Sequence, residues 1–416
     1  MMTNIKTYGL KLAIALMVAG CSHRAHQQDL PGQEPGDQTI SEHNIPMQNN
    51  QFAFDLIRQV PAEDNNFVIS PFSISTALAM TYAGARGETL EQMAEVMHFD
   101  PDQEQFHQAF GEYLTTLKQL ARDNIDLNVA NSLWAQMDYH FLDSFFEIVE
   151  TNYGSKTFQV DYRQNREQIR QDINDWVYDQ TREKIRDLIA PNVLTEDTRL
   201  VLVNAIHFLG SWLKEFDKTL TREDNFYLRD RQTARADFMH RRDTLPYYED
   251  DGMQVLEIPY TGMDFSMLLV LPAENNPLTT LETTMDAGWF DALNNKTERT
   301  RLDIYIPRFE AETKLDLEEV LISMGMPHPF SRDADFSGMT GDLELKIDKV
   351  IHQAMIEVGE EGTEAAAATA VVVIRKTAID MDEPKVFRAN RPFLFFVKDN
   401  VNQSILFAGR VINPGK

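Results

Sequence analysis

Only one cysteine stands among the 416 residues, Cys21. No intrachain disulfide can form, so a small fold stapled by disulfides is excluded. Catalytic signatures are missing as well. There is no Gly-x-Ser-x-Gly elbow, no His-Glu-x-x-His pair and no phosphate-cradling Gly/Lys loop. Nothing in the chain therefore calls for a cofactor, a metal or an enzyme's nucleophile. No internal repeat occurs, and beyond the N-terminus no apolar run is long enough to cross a membrane as a helix. Positive charge is scarce: 39 Lys and Arg face 65 Asp and Glu, for a net charge of −26. Lys118 and Arg122 are too sparse to form a basic patch. That balance argues against nucleic acid or heparin-like polyanions as partners and reads as a solvated acidic surface.

What is present is ample apolar material, 43% of the chain, enough for a large core. Length alone suggests two or three domains. The patterning mixes helix and strand. Thr89-Leu90-Glu91-Gln92 has capping-box spacing ahead of Met93, Val96 and Met97. From Glu167 to Ile189, apolar residues at Ile169, Ile173, Trp176 and Val177 keep helical spacing. Leu302 to Ile306 alternates as a half-buried strand does. Phe265 to Leu271 and Pro392 to Val397 are continuously apolar, as buried strands are, and Val350, His352, Ala354, Ile356 and Val358 alternate.

The N-terminus reads separately. Lys6 and Lys11, the apolar stretch Leu12 to Ala19 and then Val18-Ala19-Gly20-Cys21 have the shape of a signal peptide over residues 1–20. The small residues before Cys21 resemble the lipobox of bacterial lipoproteins, which implies a lipid anchor on Cys21 and placement at the outer membrane or cell surface, or facing the periplasm. A plain secretory signal with an incidental cysteine is the other reading. Residues 21–45, rich in Gln, His, Pro, Gly and acids, read as a flexible tether. The irregular spacing of His23, His26 and His43 fits a linker better than a metal site.

The most informative segment runs from Glu360 to Lys376. It begins Glu360-Glu361-Gly362-Thr363-Glu364, continues with Ala365, Ala366, Ala367 and Ala368, turns β-branched at Val371 to Ile374 and ends on Arg375-Lys376. No Gly or Pro interrupts it after Gly362. Such a segment can enter a sheet as an extra strand. Every second residue from Thr363 to Val373 is small or apolar, so one face fits a tight slot. The pattern alone leaves an Ala-rich helix equally open. A chain that exposes such a strand invites strand addition, which suggests that insertion is its purpose.

Five motifs in order then carry a resemblance. They are Asn66 to Ser75, Gly84 to Thr89, Leu202 to Trp212, Phe387 to Phe395 and Leu406 to Pro414. With the hinge-like stretch Glu360 to Ala368 they resemble the serpins over about residues 46–416. The resemblance implies one large α+β domain: three β-sheets with surrounding helices and an exposed reactive-centre loop at about residues 360–386. It implies suicide-substrate inhibition of a serine peptidase by a monomer. The loop is cleaved, an acyl bond forms, and the freed strand inserts between the third and fifth strands of the main sheet. Glu360 becomes the hinge acid, with Arg308 as its ion-pair partner and Trp212 packing nearby. Gly362 supplies backbone latitude, and Thr363 enters the sheet first. Ser70, Ser73, Asn204 and His352 match the polar cluster beneath the main sheet, where the histidine is expected to donate to the asparagine. A hydrolase use of these four is disfavoured.

Counting from the hinge by family spacing places the scissile bond at Lys376-Thr377, which suits a trypsin-like target. Arg375-Lys376 is the next bond along. Ile374 or Ala378 would serve other pockets, because a longer stretch before Asn390 leaves the register open by a residue or two. The alternative function is a non-inhibitory serpin acting as a binding protein.

Overall fold

The structure, a computed structural model, describes residues 44–60, 65–121, 125–229, 232–363 and 383–415. Among the described residues the helices are α1 (Ile45–Gln59), α2 (Pro71–Tyr82), α3 (Gly87–Met97), α4 (Gln103–Leu120), α5 (Asp143–Tyr153), α6 (Tyr162–Gln180), α7 (Leu278–Thr284), α8 (Ala287–Leu293), α9 (Glu318–Ser323) and α10 (Ser337–Thr340). The strands are β1 (Phe67–Ile69), β2 (Ile125–Gln136), β3 (Lys156–Val160), β4 (Leu200–Ser211), β5 (Arg222–Tyr227), β6 (Thr233–Glu249), β7 (Met253–Pro259) and β8 (Phe265–Pro272). They continue with β9 (Glu298–Pro307), β10 (Phe309–Asp316), β11 (Ile351–Val358), β12 (Gly362–Thr363), β13 (Lys385–Arg388), β14 (Phe393–Asp399) and β15 (Ile405–Val411).

Local chemistry fixes several of these ends. The Asn44 side chain accepts from Met47 N–H and Pro46 opens α1. Ser70 caps α2 ahead of Pro71, Asp102 caps α4, and Asp161 caps α6 through Arg163 and Gln164 N–H. Each cap satisfies a backbone donor left over at a helix start and contributes about 1 kcal/mol. Gly154 ends α5 with φ +60°, a conformation open to glycine.

Two sequence expectations need correction here. Thr89 does not cap α3. The helix starts earlier, behind Arg86, with no side-chain cap. The Thr89 hydroxyl instead meets His328 Nδ1 at 2.9 Å and accepts Asp335 N–H at 2.8 Å, so a tertiary contact has taken the local capping group. Helical spacing also stops short of Ile189. The helix α6 ends at Gln180, and Arg182 and Glu183 take positive φ, folding Ile185, Leu188 and Ile189 back onto its apolar face.

Six strands form the main sheet in the order β10-β11-β12-β4-β2-β3. The other strands form a continuous ladder that the long β6 divides into two sheets. Its residues from Phe238 to Tyr247 pair with β9 and its start pairs with β5, while Tyr247 to Glu249 pair with β7, leading on to β8, β14, β15 and β1. The strands β8, β14 and β15 are buried along their whole length, which is why they are mostly apolar, with Ser266, Lys398, Asp399 and Arg410 as buried polar exceptions. On β11 the buried residues are His352, Ala354, Ile356 and Val358, which explains the alternation in the sequence. The main core lies between the main sheet and the β8-β14-β15 layer, with α2 against both β4 and β15. A second cluster, built on Trp134, Tyr162, Ile173 and Val177, attaches α6 to the outer face of β2 and β4. No helix among the described residues is long and apolar enough to cross a membrane.

Candidate functional site at the gap in the main sheet

The strands β4 and β11 are joined only at one end. There the two-residue β12 sits between them, with Thr363 opposite Gly210 on one side and Val358 on the other, and Gly362 opposite Ser211. Further along, no ladder joins β4 to β11 among the described residues. A strand-wide opening in a sheet leaves backbone groups ready to pair with another strand.

The turn that delivers Thr363 is tightly built. Gly359 N–H donates to Gly362 O at 2.9 Å. A Cβ on Gly362, at φ +155°, would lie 2.0 Å from Gly210 O, so glycine is needed for the close backbone approach. Trp212 holds the turn from below. Its indole N–H donates to Gly359 O at 2.9 Å, its backbone N–H to Glu361 O at 2.9 Å, and its ring stacks on Tyr260 at 4.7 Å. The Tyr260 hydroxyl reaches Thr363 Oγ1 at 2.6 Å, and Thr363 is only 1% exposed.

Charge locks the turn from outside. Arg308 grips Glu360 with Nε at 2.9 Å from both carboxylate oxygens and Nη2 at 2.5 Å from one. The Thr221 hydroxyl donates to the same carboxylate at 2.6 Å, and Phe216 N–H to Glu360 O at 2.9 Å. Burial alone would raise the Glu360 pKa, but the hydrogen bonds from Arg308 and Thr221 outweigh it and hold the carboxyl below its ordinary range. Lys218 meets Glu361 at 2.5 Å, and this contact raises the lysine's pKa.

Beneath the gap lie two separate polar pairs. The Ser73 hydroxyl donates to Asn204 Oδ1, and Asn204 Nδ2 donates to Asn131 Oδ1 at 2.6 Å. Ser70 N–H donates to His352 Nε2 at 3.1 Å, while the Ser70 hydroxyl donates to Leu406 O at 2.7 Å. This corrects the expectation that the histidine donates to the asparagine. His352 is an acceptor, and its partner is the backbone at the start of α2. Burial pushes its pKa down to about 4, so the ring is neutral. Neither serine hydroxyl is bonded to the imidazole, so no nucleophile–base pair is assembled.

Of the residues singled out in the sequence, the structure brings together Glu360, Arg308, Gly362, Thr363 and Trp212 at the turn, and Ser73 with Asn204 and Ser70 with His352 below. Cys21, Glu364, Ala365, Ala366, Ala367, Ala368, Arg375, Lys376 and Thr377 lie outside the described residues. Tyr260, Thr221 and Lys218 were missed. No local pattern marks them, because each meets the turn across more than a hundred residues of chain.

Among the described residues only the two-residue β12 stands between β4 and β11, and the hinge before it is buried, which together define a fold able to accept a strand there. The profile of the Serpin family, described as serine protease inhibitor, matches residues 47–414. Human Serpin B3 is 39% identical over 88% of this chain and 98% of its own. An uncharacterized serpin-like protein of Thermococcus kodakarensis is 37% identical over 88% of this chain and 84% of its own. Among solved structures, thyroxine-binding globulin in complex with thyroxine superposes with a TM-score of 0.78 at 30% identity, covering 89% of this chain and 100% of its own. The chain belongs to the serpin family. Most members are protease inhibitors rather than enzymes, and some, thyroxine-binding globulin among them, are not inhibitory.

Proposed function

We propose that this chain is an irreversible suicide-substrate inhibitor of serine peptidases, with trypsin-like enzymes as its favoured targets. The observation that carries the reading is the position of Thr363. It is already paired on both sides between β4 and β11, and among the described residues no further ladder joins those two strands. Small residues follow it in the sequence, Ala365 to Ala368, so each further step into the gap costs little steric work. A peptidase that acylates Lys376 would free the segment from Thr363 onward to fill the gap. New ladder bonds on both edges would then drive the movement, and the peptidase would travel with the strand. Cysteine peptidases that form an equivalent acyl bond are a secondary target class.

The same proposal places the protein at a membrane surface. Residues 1–20 act as a signal peptide, Cys21 carries the lipid, and the following residues tether a monomeric inhibitor at the outer membrane or cell surface.

The test is a near-equimolar mixture of the protein with trypsin, followed by denaturing gels and mass spectrometry. A covalent species at the summed mass, with a released peptide beginning at Thr377, is the expected result. Cleavage without a covalent species, for trypsin and for elastase-like, subtilisin-like and cysteine peptidases alike, would overturn the inhibitory reading in favour of a binding protein.

A further inference from the structure

The ends of β4 and β11 remote from Thr363 border a cavity of about 550 Å³. That volume falls among those of small-molecule sites. Ile74 and Leu78 of α2, Leu188, Leu202, Met339 and Ile347 make its apolar wall, and Ser73, Asn204 and His352 form one polar end.

The polar end has hydrogen-bonding capacity to spare, two donors of it on His352 and Asn204. His352 Nε2 accepts from Ser70 N–H, so the neutral ring carries its hydrogen on Nδ1. No partner for that Nδ1 is found among the described residues, and His352 is only 5% exposed, on the wall of the cavity. Asn204 uses one amide hydrogen on Asn131, which leaves the second. The Ser73 hydroxyl proton is spent on Asn204 Oδ1, which leaves the Ser73 oxygen as an acceptor. An occupant that satisfies both donors brings an acceptor oxygen, and an amide N–H beside it could reach the Ser73 oxygen. Around the cavity, Lys346 is paired with Asp348, Lys349 with Asp316 and Glu318, and Arg199 with Asp197. A carboxylate entering here would lose its hydration without gaining a free cation, so a neutral head is favoured.

We propose that this cavity binds a small neutral amphiphile, an apolar body ending in a carbonyl such as a fatty amide, with its oxygen on His352 Nδ1 and the second amide hydrogen of Asn204. Bound there, it occupies the level of the gap that an incoming strand must pass. Its consequence for inhibition, and that consequence alone, rests on the proposed function.

The experiment titrates octanamide into the intact protein at neutral pH by calorimetry, with octanoate as the charged control. Saturable one-site binding of octanamide, at least tenfold tighter than octanoate, is expected. Leu202→Trp and Ile347→Trp fill the cavity from two sides, and each should weaken binding at least tenfold while circular dichroism reports an unchanged fold. His352→Phe removes the donor and should do the same. A cavity reserved for the chain's own strand would leave the intact protein indifferent to octanamide, and that result overturns the proposal. So does binding that survives both tryptophan variants, or octanoate binding as tightly as octanamide. In a parallel arm, octanamide should shift trypsin reactions from covalent complex to cleaved product. Failure to form any complex without octanamide counts against the proposed function and leaves the binding result standing.

Discussion

Tyr260 and Thr363, 103 positions apart in the chain, share a buried hydrogen bond of 2.6 Å. Through it the first inserted residue is tied to a side chain that Trp212 stacks upon. Removing the hydroxyl with Tyr260→Phe should cost about 1 kcal/mol of hinge stability. Amide exchange at Thr363 should speed up severalfold while exchange in β14 and β15 stays unchanged. Unaltered protection at Thr363 would mean that the ladder to Gly210 and Val358 holds the hinge unaided.

Thr363 has no room to grow. It lies between Gly210 and Val358 and is nearly solvent-free. Thr363→Arg would put an unpaired charge at a position already buried in the sheet, at a cost of several kcal/mol, so the residue would stay out of the gap and block entry of those behind it. The variant should be cut by trypsin as readily as the parent and should yield no covalent complex on denaturing gels. Complex formation at the parental level would show that insertion does not begin at this residue.

Gly362→Ala tests the backbone approach separately. Its Cβ would meet Gly210 O at 2.0 Å, so β12 must leave the sheet or β4 must shift. Faster limited proteolysis after Val358 is the expected reading, with a melting temperature lowered by a few degrees.

The grip of Arg308 on Glu360 joins a half-exposed guanidinium to a buried carboxylate. Arg308→Ala leaves that carboxylate with Thr221 and its own backbone N–H but no cation, and should cost about 1.5–3 kcal/mol. Loosening the top of the gap also exposes strand edges, so mild warming should convert the variant to polymers on size-exclusion chromatography. Asn204→Ala, which strips partners from Ser73 and Asn131, should act in the same direction lower in the gap. Variants that stay monomeric would separate these contacts from control of the sheet.

Acid should weaken the fold through His352. Its folded pKa is pushed down to about 4, whereas the unfolded chain takes up the proton near the ordinary value of about 6.5. Between those values the unfolded state binds more protons, so stability falls as the pH drops through that window. The loss is on the order of 2 kcal/mol between about pH 7 and about pH 5. His107, also pushed down to about 4 by burial, adds a change of the same sign. His352→Gln should therefore flatten, but not abolish, the pH dependence of the guanidinium midpoint. An equal slope in both proteins would remove His352 from this role.

Much of the architecture could be read in the chain because side-chain period is a local property. The alternation along β11 and the largely apolar runs of β8 and β14 follow directly from which faces are covered. The pairing of Arg308 with Glu360 came from the family resemblance and not from any spacing. Contacts made by remote loops stayed hidden. Lys218 is a lone cation on the surface until the chain folds it against Glu361, 143 residues away. Thr89 carried a valid local signal that a distant histidine took over. At His352 the resemblance supplied the right neighbourhood and the wrong partner, since donor and acceptor roles depend on which backbone N–H arrives.

The placement of Thr363 also gives the gap a reading frame. One residue is opposite Gly210 and Val358 at once, so the two bordering strands are already in phase. Carried down from Thr363, the register pairs Phe208 with Ile356, Ile206 with Ala354 and Asn204 with His352 as successive rungs, to which the proposed insertion would bring Ala365, Ala367 and Thr369 in turn. On that proposal the hydroxyl of Thr369 would come level with Asn204 and His352, the two polar side chains of the track. A slip of one residue would turn each of these side chains to the opposite face and strand that hydroxyl. For the proposed insertion the main sheet would then be a template with a phase, the first rung setting the alignment of every rung after it.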